Sequence, residues 1–293
     1  MQRSDCSRRF GFAFIPVDVV WHQVIGPDLT AASPPHVVGA VSGSAVALVG
    51  VALVLSTTVR TTWQPLVDRP RSVDAVTLGI LALLALNWLQ LLTTEWDWGN
   101  QIAESRPAWV YPVIVGVVGT AFSQVALHAT RRVGAGTALA LVNVALHAVA
   151  VIAFRLYLPP GPSIAAHVLL VPAAVALDVW YARQMLRTAP RPPALPTELI
   201  VAVVYAIVLL ATVFPYAAWF MSVPVFDLLS VLGSVGTAVP AVVVSSLVFA
   251  RLGAWIGSPG RSQIAPRDVS RQAEMSMAAR AVPGELATQV EAT

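Results

Sequence analysis

VVGAVSGSAVALVGVALVLSTTV, residues 37–59, contains no charged side chain. A helix needs about 20 predominantly apolar residues to cross a bilayer, because each residue advances it about 1.5 Å through a hydrocarbon layer of about 30 Å. The segment is therefore long enough to cross a membrane by itself. Of the 293 residues, 57% are hydrophobic and only 11% are charged. This composition predicts that lipid surrounds most of the chain.

Further apolar segments follow, and together they predict an all-α fold, a polytopic transmembrane helix bundle. The seven predicted spans cover 37–59, 74–94, 108–130, 135–155, 164–182, 197–219 and 229–250. An eighth, short helix over Phe10 to Ile25 is slightly favoured, because Arg8 and Arg9 favour the cytoplasmic side of a membrane, and a total of seven spans is kept open. The bundle extends over residues 1–256. Residues 257–293 have no sustained apolar face, which predicts a disordered cytoplasmic tail.

Arginine residues lie in alternate loops, after the first, third, fifth and seventh predicted spans. They are Arg60, Arg69, Arg71, Arg131, Arg132, Arg183, Arg187, Arg191 and Arg251. Basic loops stay in the cytoplasm, so the sequence predicts a cytoplasmic C-terminus and places residues 18–36 at the outer face. All 18 basic residues are Arg, which is typical of a GC-rich bacterial genome. We therefore expect the chain to lie in a bacterial inner membrane, with the lipid bilayer as its partner. We do not expect it to bind nucleic acid.

The most informative polar residues precede the first span. Asp18 and His22 are four residues apart, so on a helix both side chains project from the same face. A break at Gly26-Pro27 and a new start after a Pro-Pro pair place His36 in the first turn of the next helix. Such a hairpin can bring His36 close to the first two residues. Two imidazoles and one carboxylate suit copper, zinc or iron and leave coordination positions open.

An alternative interpretation is that these three residues are interfacial polar groups that orient the hairpin at the lipid headgroups. Ionisable groups near membrane depth are costly and are usually functional, which favours the metal site. Nucleotide-dependent chemistry is not expected, because the sequence has no phosphate-binding glycine loop, serine-hydrolase elbow or Cys/His zinc pattern.

This segment resembles the metal-binding segment of the C subunit of the particulate methane and ammonia monooxygenases. The similarity lies in the Asp-x3-His spacing, the Trp before and the Gln after His22, and the Pro-containing turn that ends in His36. The resemblance implies that Asp18, His22 and His36 bind a metal, that the metal is copper, and that the activity is of the oxidase or monooxygenase kind.

The resemblance is close over residues 18–36 and weak over residues 18–130. The interval from His22 to His36 is one residue longer than in that family, and the family's second site, an Asn and two His, has no counterpart here. The Trp-His, Gly-x-Asp and Ser-Pro-Pro-His pattern is also similar to that of uncharacterised actinobacterial membrane proteins, which implies no particular activity.

Two other functions remain open. A transporter or permease for a small or lipophilic solute is favoured by a possible tandem three-helix repeat, in which residues 116–121 resemble residues 233–238. It is also favoured by polar residues at membrane depth, namely Asn87, Gln90, Asn143, His147 and Asp178. For Asn143 and His147, a helix–helix hydrogen bond is the commoner explanation. A non-catalytic membrane subunit, paired with other subunits or with a second copy, is favoured by a small-residue face at Gly39, Gly43 and Ala47.

Overall fold

Each of the seven apolar segments forms a long helix in the computed structural model. It describes residues 19–25, 33–57, 63–66, 72–97, 110–157, 165–187, 195–220 and 228–258. The helices are α1 Pro34–Ser56, α2 Ser72–Asp97, α3 Val110–Thr130, α4 Ala135–Tyr157, α5 Ala165–Arg187, α6 Leu195–Phe220 and α7 Leu228–Ile256. Two short strands, β1 Gln64–Pro65 and β2 Arg132–Val133, pair in parallel. The predicted all-α helix bundle is confirmed.

Five of the described helices contain segments that are long and apolar enough to cross a membrane. These segments are Pro34–Ser56, Ser72–Thr93, Val110–Thr130, Ala135–Ala153 and Val231–Ile256, and α6 contains the shorter apolar stretch Glu198–Val213. Large apolar side chains such as Leu53, Ile152 and Ile207 are exposed on the outer surface of the bundle, where a lipid phase would cover them. The chain is therefore a multi-pass membrane protein.

Part of the N-terminal prediction and nearly all of the tail prediction concern residues that the structure does not describe. Of the possible eighth helix over residues 10–25, residues 19–24 are helical and residues 10–18 lie outside the described residues. The predicted tail lies outside them from residue 259 onward, so its disorder stays a prediction.

Helix α3 lies at the centre of the bundle, in contact with α2, α4, α5, α6 and α7. It is buried along most of its length, whereas α1 packs mainly against α2 and leaves most of its surface exposed. Glycine makes the close packing of α3 possible. A Cβ atom at Gly116 would lie 2.6 Å from Val242 Cγ2 and 2.8 Å from Leu209 Cδ2, so the side chains of α6 and α7 fill the space that this glycine leaves.

Helices α3 and α7 form the most extensive helix pair, and they run parallel. Gly116 near the start of α3 contacts Val242, and Gly253 near the end of α7 packs on Val125. The Ser245 hydroxyl adds a hydrogen bond to the Val117 carbonyl, at 3.1 Å. In addition, α1, α2 and α3 pack in chain order, as do α5, α6 and α7. This is the arrangement that two three-helix units require, although the repeat itself stays a prediction.

Four arginine residues, Arg131, Arg132, Arg183 and Arg251, lie at one end of the bundle, which we call the arginine end, whereas Arg155 near the end of α4 lies toward the opposite end. There, β1 in the connection from α1 to α2 pairs with β2 in the turn between α3 and α4. Arg251 on α7 also donates to Glu198 in the first turn of α6, at 2.6 Å. Because α1 ends at this side of the bundle, His36 in its first turn lies at the opposite end, which we call the His36 end.

Candidate functional site

His36 occupies the first turn of α1, as the sequence predicts. Ser33 precedes the helix in an extended conformation, and Pro34 opens it, a position that suits proline because the first helical N–H has no partner within the helix. The Ser33 hydroxyl oxygen lies 3.1 Å from Nδ1 of His36. Ser33 is buried and His36 is half-buried, so this contact orients the imidazole at the end of the helix.

His22 lies on a separate helical segment, residues 19–24, and its side chain is exposed. Asp18, the third predicted ligand, lies outside the described residues. Among the residues that are described, no group of three His, Cys, Asp or Glu side chains is positioned to hold a metal. The set of Asp18, His22 and His36 therefore stays a prediction.

The polar pair on α4 joins that helix to α2. Nδ2 of Asn143 donates to the Ala82 carbonyl at 3.0 Å, and Nδ1 of His147 lies 3.3 Å from Nε2 of Gln90. Asn143 and His147 are both fully buried. Their interpretation as helix–helix hydrogen-bonding residues is confirmed. Asn87, by contrast, is exposed on the surface of α2.

Asp178 on α5 has a structural role at the start of α4. Its carboxylate accepts hydrogen bonds from the Gly134 N–H at 3.0 Å and from the Thr137 N–H and hydroxyl at 2.6 and 2.7 Å. The first N–H groups of a helix have no partners within the helix and attract negative charge. Asp178 therefore accepts hydrogen bonds from N–H groups at the beginning of α4, although it belongs to a neighbouring helix. These bonds also stabilise the tight turn between α3 and α4.

The turn between α3 and α4 also contains a buried ion pair. The Arg132 guanidinium donates to Asp74 at 3.1 Å, to the Gln64 side chain at 2.9 Å and to the Pro65 carbonyl at 3.2 Å. The backbone of Arg131 is left-handed, with φ of 52°, and desolvation lowers the pKa of its guanidinium. Arginine stays protonated in proteins, so Arg131 keeps its positive charge, whereas the charge of Arg132 is compensated by Asp74.

His128, near the end of α3, lies in a buried aromatic cluster. Its Nε2 atom is 3.0 Å from the Tyr181 hydroxyl. The Trp63 ring packs edge-on against His128 and stacks on Tyr181, with ring centroids 5.4 and 5.6 Å apart. The connection from α1 to α2 therefore folds over His128. Nothing in the local sequence around His128 indicates this cover.

A second polar cluster, which the sequence analysis does not identify, lies where α3 meets α6 and α7. Gln124 is fully buried, and its Nε2 atom donates to the Ser246 hydroxyl at 2.6 Å. Thr120, one turn before Gln124 on α3, is also buried, as are Ser123 and Tyr205, which lie close to each other. A glutamine within an apolar span is the one sequence signal that could have identified this cluster, because polar groups at membrane depth are costly.

The fold and these contacts define the class of the protein, a multi-pass membrane helix bundle with His36 at one end and a charged, hydrogen-bonded turn at the other. No family model, curated protein or solved structure matches the chain.

Proposed function

We propose that this chain is an integral membrane metalloprotein whose metal ligands are Asp18, His22 and His36. The observation that carries the proposal is the contact between Ser33 and Nδ1 of His36. Metal-binding histidines usually hold one ring nitrogen in a hydrogen bond, which fixes the tautomer and the ring orientation for the other. A metal at His36 would therefore be bound through Nε2, with the Nδ1–H donating to Ser33.

The donor set suits this role. His22 is exposed on its own helical segment and is only a short connection away from His36 in the chain. Two neutral imidazoles and one carboxylate bind copper, zinc or iron with positions left open for a small molecule. Copper is the metal we propose, and the resemblance to the membrane monooxygenases would add oxygen chemistry of the oxidase or monooxygenase kind.

We further propose that the protein lies in a bacterial inner membrane, with the arginine end in the cytoplasm and the metal site at the outer face. The clustering of Arg131, Arg132, Arg183 and Arg251 at one end supports this orientation, because positive charge is retained on the cytoplasmic side. Metal would then be acquired from outside the cytoplasm.

The experiment that tests the proposal is metal analysis by mass spectrometry. The full chain is purified in detergent, exposed to copper, zinc or iron, and washed with a weak chelator. We expect about one equivalent of copper per chain and its loss in a His22→Ala/His36→Ala variant, because three ligands form the single site.

Gln23→Ala is the matched control. Gln23 is exposed on the same helical segment as His22, so its replacement disturbs the segment to a similar extent without removing a proposed ligand. We expect this variant to keep its copper. Negligible metal in the wild-type protein, or equal metal in the wild type and the double variant, would rule the proposal out.

A further inference from the structure

The polar cluster formed by Thr120, Ser123, Gln124, Tyr205 and Ser246 lies within the most deeply packed part of the bundle. The first three residues come from α3, and the other two come from α6 and α7. All five side chains are at most 2% exposed. Because a bilayer interior offers no bulk water, polar groups there are costly unless they are hydrogen-bonded.

The Gln124 amide is only partly satisfied by the protein. Its Nε2 atom donates to Ser246, but its Oε1 atom has no hydrogen-bond partner within the described part of the chain. An amide oxygen is an acceptor with two lone pairs. The buried oxygen therefore needs a donor from something other than the described side chains.

The hydroxyl groups of Tyr205 and Thr120 also lack a well-formed hydrogen bond to the residues that the structure describes. The Tyr205 hydroxyl lies beside Ser123 and Thr120, yet neither it nor the Thr120 hydroxyl makes a well-formed hydrogen bond to another described residue. Gly119 permits this approach to the helix, since a Cβ atom there would lie 2.7 Å from the Tyr205 oxygen. Thr120 and Gln124 are one turn apart on α3 and so share one face.

We propose that this cluster binds internal water between Gln124 and the hydroxyls of Thr120 and Tyr205. The buried oxygen of Gln124 requires a donor, and the two hydroxyls can both donate and accept. The cluster contains no charged side chain, so an ion would find no counter-charge. Water is the smallest neutral molecule that supplies both functions, and buried water typically makes about three hydrogen bonds to such groups. The site is distinct in place and ligand from the proposed metal site.

Radiolytic hydroxyl-radical footprinting tests this proposal, because radicals formed from bound water oxidise buried side chains beside it. The full chain in detergent is irradiated, and oxidation is read by mass spectrometry at Tyr205 and at Tyr181. Tyr181 is a buried tyrosine whose hydroxyl contacts His128, so it provides an internal reference. We expect Tyr205 of the wild-type protein to be oxidised at least as fast as Tyr181.

A Gln124→Leu variant removes the unsatisfied oxygen and should lower the ratio of Tyr205 to Tyr181 oxidation several-fold. Asn143→Leu is the matched control, since it replaces another buried amide, which contacts α2, and it should leave the ratio unchanged. Much slower oxidation of Tyr205 than of Tyr181 in the wild-type protein would overturn the proposal without any variant. An unchanged ratio in Gln124→Leu would also overturn it.

Discussion

Nε of Arg132 lies 3.1 Å from Oδ2 of Asp74, and both side chains are almost completely buried. Asp74 is in the first turn of α2, while Arg132 belongs to β2 in the turn after α3. The same guanidinium also contacts Gln64 and the Pro65 carbonyl in β1. One side chain therefore connects three parts of the chain at the arginine end, and its charge is compensated there.

We expect Asp74→Ala to lower the free energy of unfolding by about 3–5 kcal/mol, because it leaves the Arg132 charge buried without its counter-ion. An Asp74→Leu/Arg132→Met double variant should recover much of this loss, since it removes both charges. Thermal or denaturant unfolding in detergent measures the difference. Additive losses in the double variant would contradict this account of the pair.

A comparison with the second ion pair of the arginine end serves as the control. Arg251 donates to Glu198 at 2.6 Å; the Arg251 side chain is 60% exposed, whereas that of Glu198 is buried. Replacing the buried partner leaves only the Arg251 charge, which water can solvate, and a pair with one exposed partner contributes little. Glu198→Gln should therefore change the unfolding free energy far less than Asp74→Ala does.

The helices could be predicted from the sequence, and many of their partners could not. Length and hydropathy locate the seven long helices that the structure describes, because a bilayer requires about 20 apolar residues for each crossing. The contact between Gln124 and Ser246 joins residues 122 positions apart, and no local pattern indicates such a pairing. The cover that Trp63 forms over His128 depends likewise on the fold of a connecting segment.

For the candidate site, sequence patterns predict the local geometry of one helix better than the contacts between separate helices. The Pro-Pro start that places His36 in the first turn of α1 is read directly from the chain, and the structure confirms it. The spacing of Asn143 and His147 correctly indicates one helix face, but their partners Ala82 and Gln90 come from another helix. Spacing alone does not determine whether Asp18 and His22 approach His36, so the three-residue site stays a prediction.

Gly253 lies where α7 approaches α3 closely, so a substitution at this position tests the packing of the two helices. A Cβ atom at this position would lie 2.9 Å from Val125 Cα and 3.0 Å from the Val125 carbonyl oxygen. Backbone cannot move aside as a flexible side chain can, so Gly253→Ala should push the helices apart and destabilise the bundle by about 1–3 kcal/mol. The measurement is the unfolding free energy in detergent.

Gly43→Ala on α1 is the matched control for that substitution. A Cβ atom at Gly43 has nothing within 4 Å of it among the described residues. Alanine favours a helix over glycine by up to about 1 kcal/mol, so Gly43→Ala should leave the stability unchanged or raise it. If Gly43→Ala lowered the unfolding free energy as much as Gly253→Ala does, close packing against α3 would not be the cause of the destabilisation by Gly253→Ala.

The contact between His147 and Gln90 should contribute modestly to the association of α4 with α2. Hydrogen bonds between transmembrane helices contribute about 0.6 kcal/mol on average, with a maximum near 1.7 kcal/mol. A double-mutant cycle with His147→Leu and Gln90→Leu should give a coupling free energy within that range. A coupling near zero would indicate that the two side chains, 3.3 Å apart, are close without a stabilising interaction.

The Ser33→Ala substitution should change the orientation of the His36 ring without changing the stability of α1. The Ser33 side chain makes no capping hydrogen bond to the first turn of the helix, so its hydroxyl contributes little to helix initiation, and its contact with Nδ1 of His36 is lost. If copper is bound through Nε2, removing this partner should weaken copper binding about 10–100-fold. Competition with a chromogenic copper chelator measures the change.

Ser44→Ala provides the control for this last substitution. Its hydroxyl lies on the same helix but accepts a hydrogen bond from Trp88 at 2.8 Å, about 12 Å along the helix axis from His36. We expect Ser44→Ala to bind copper as tightly as the wild type does. If Ser33→Ala also matched the wild type, His36 would not be oriented through Nδ1, even where His22→Ala/His36→Ala abolished binding. That combination of results would retain the metal site but assign the orientation of His36 to another contact.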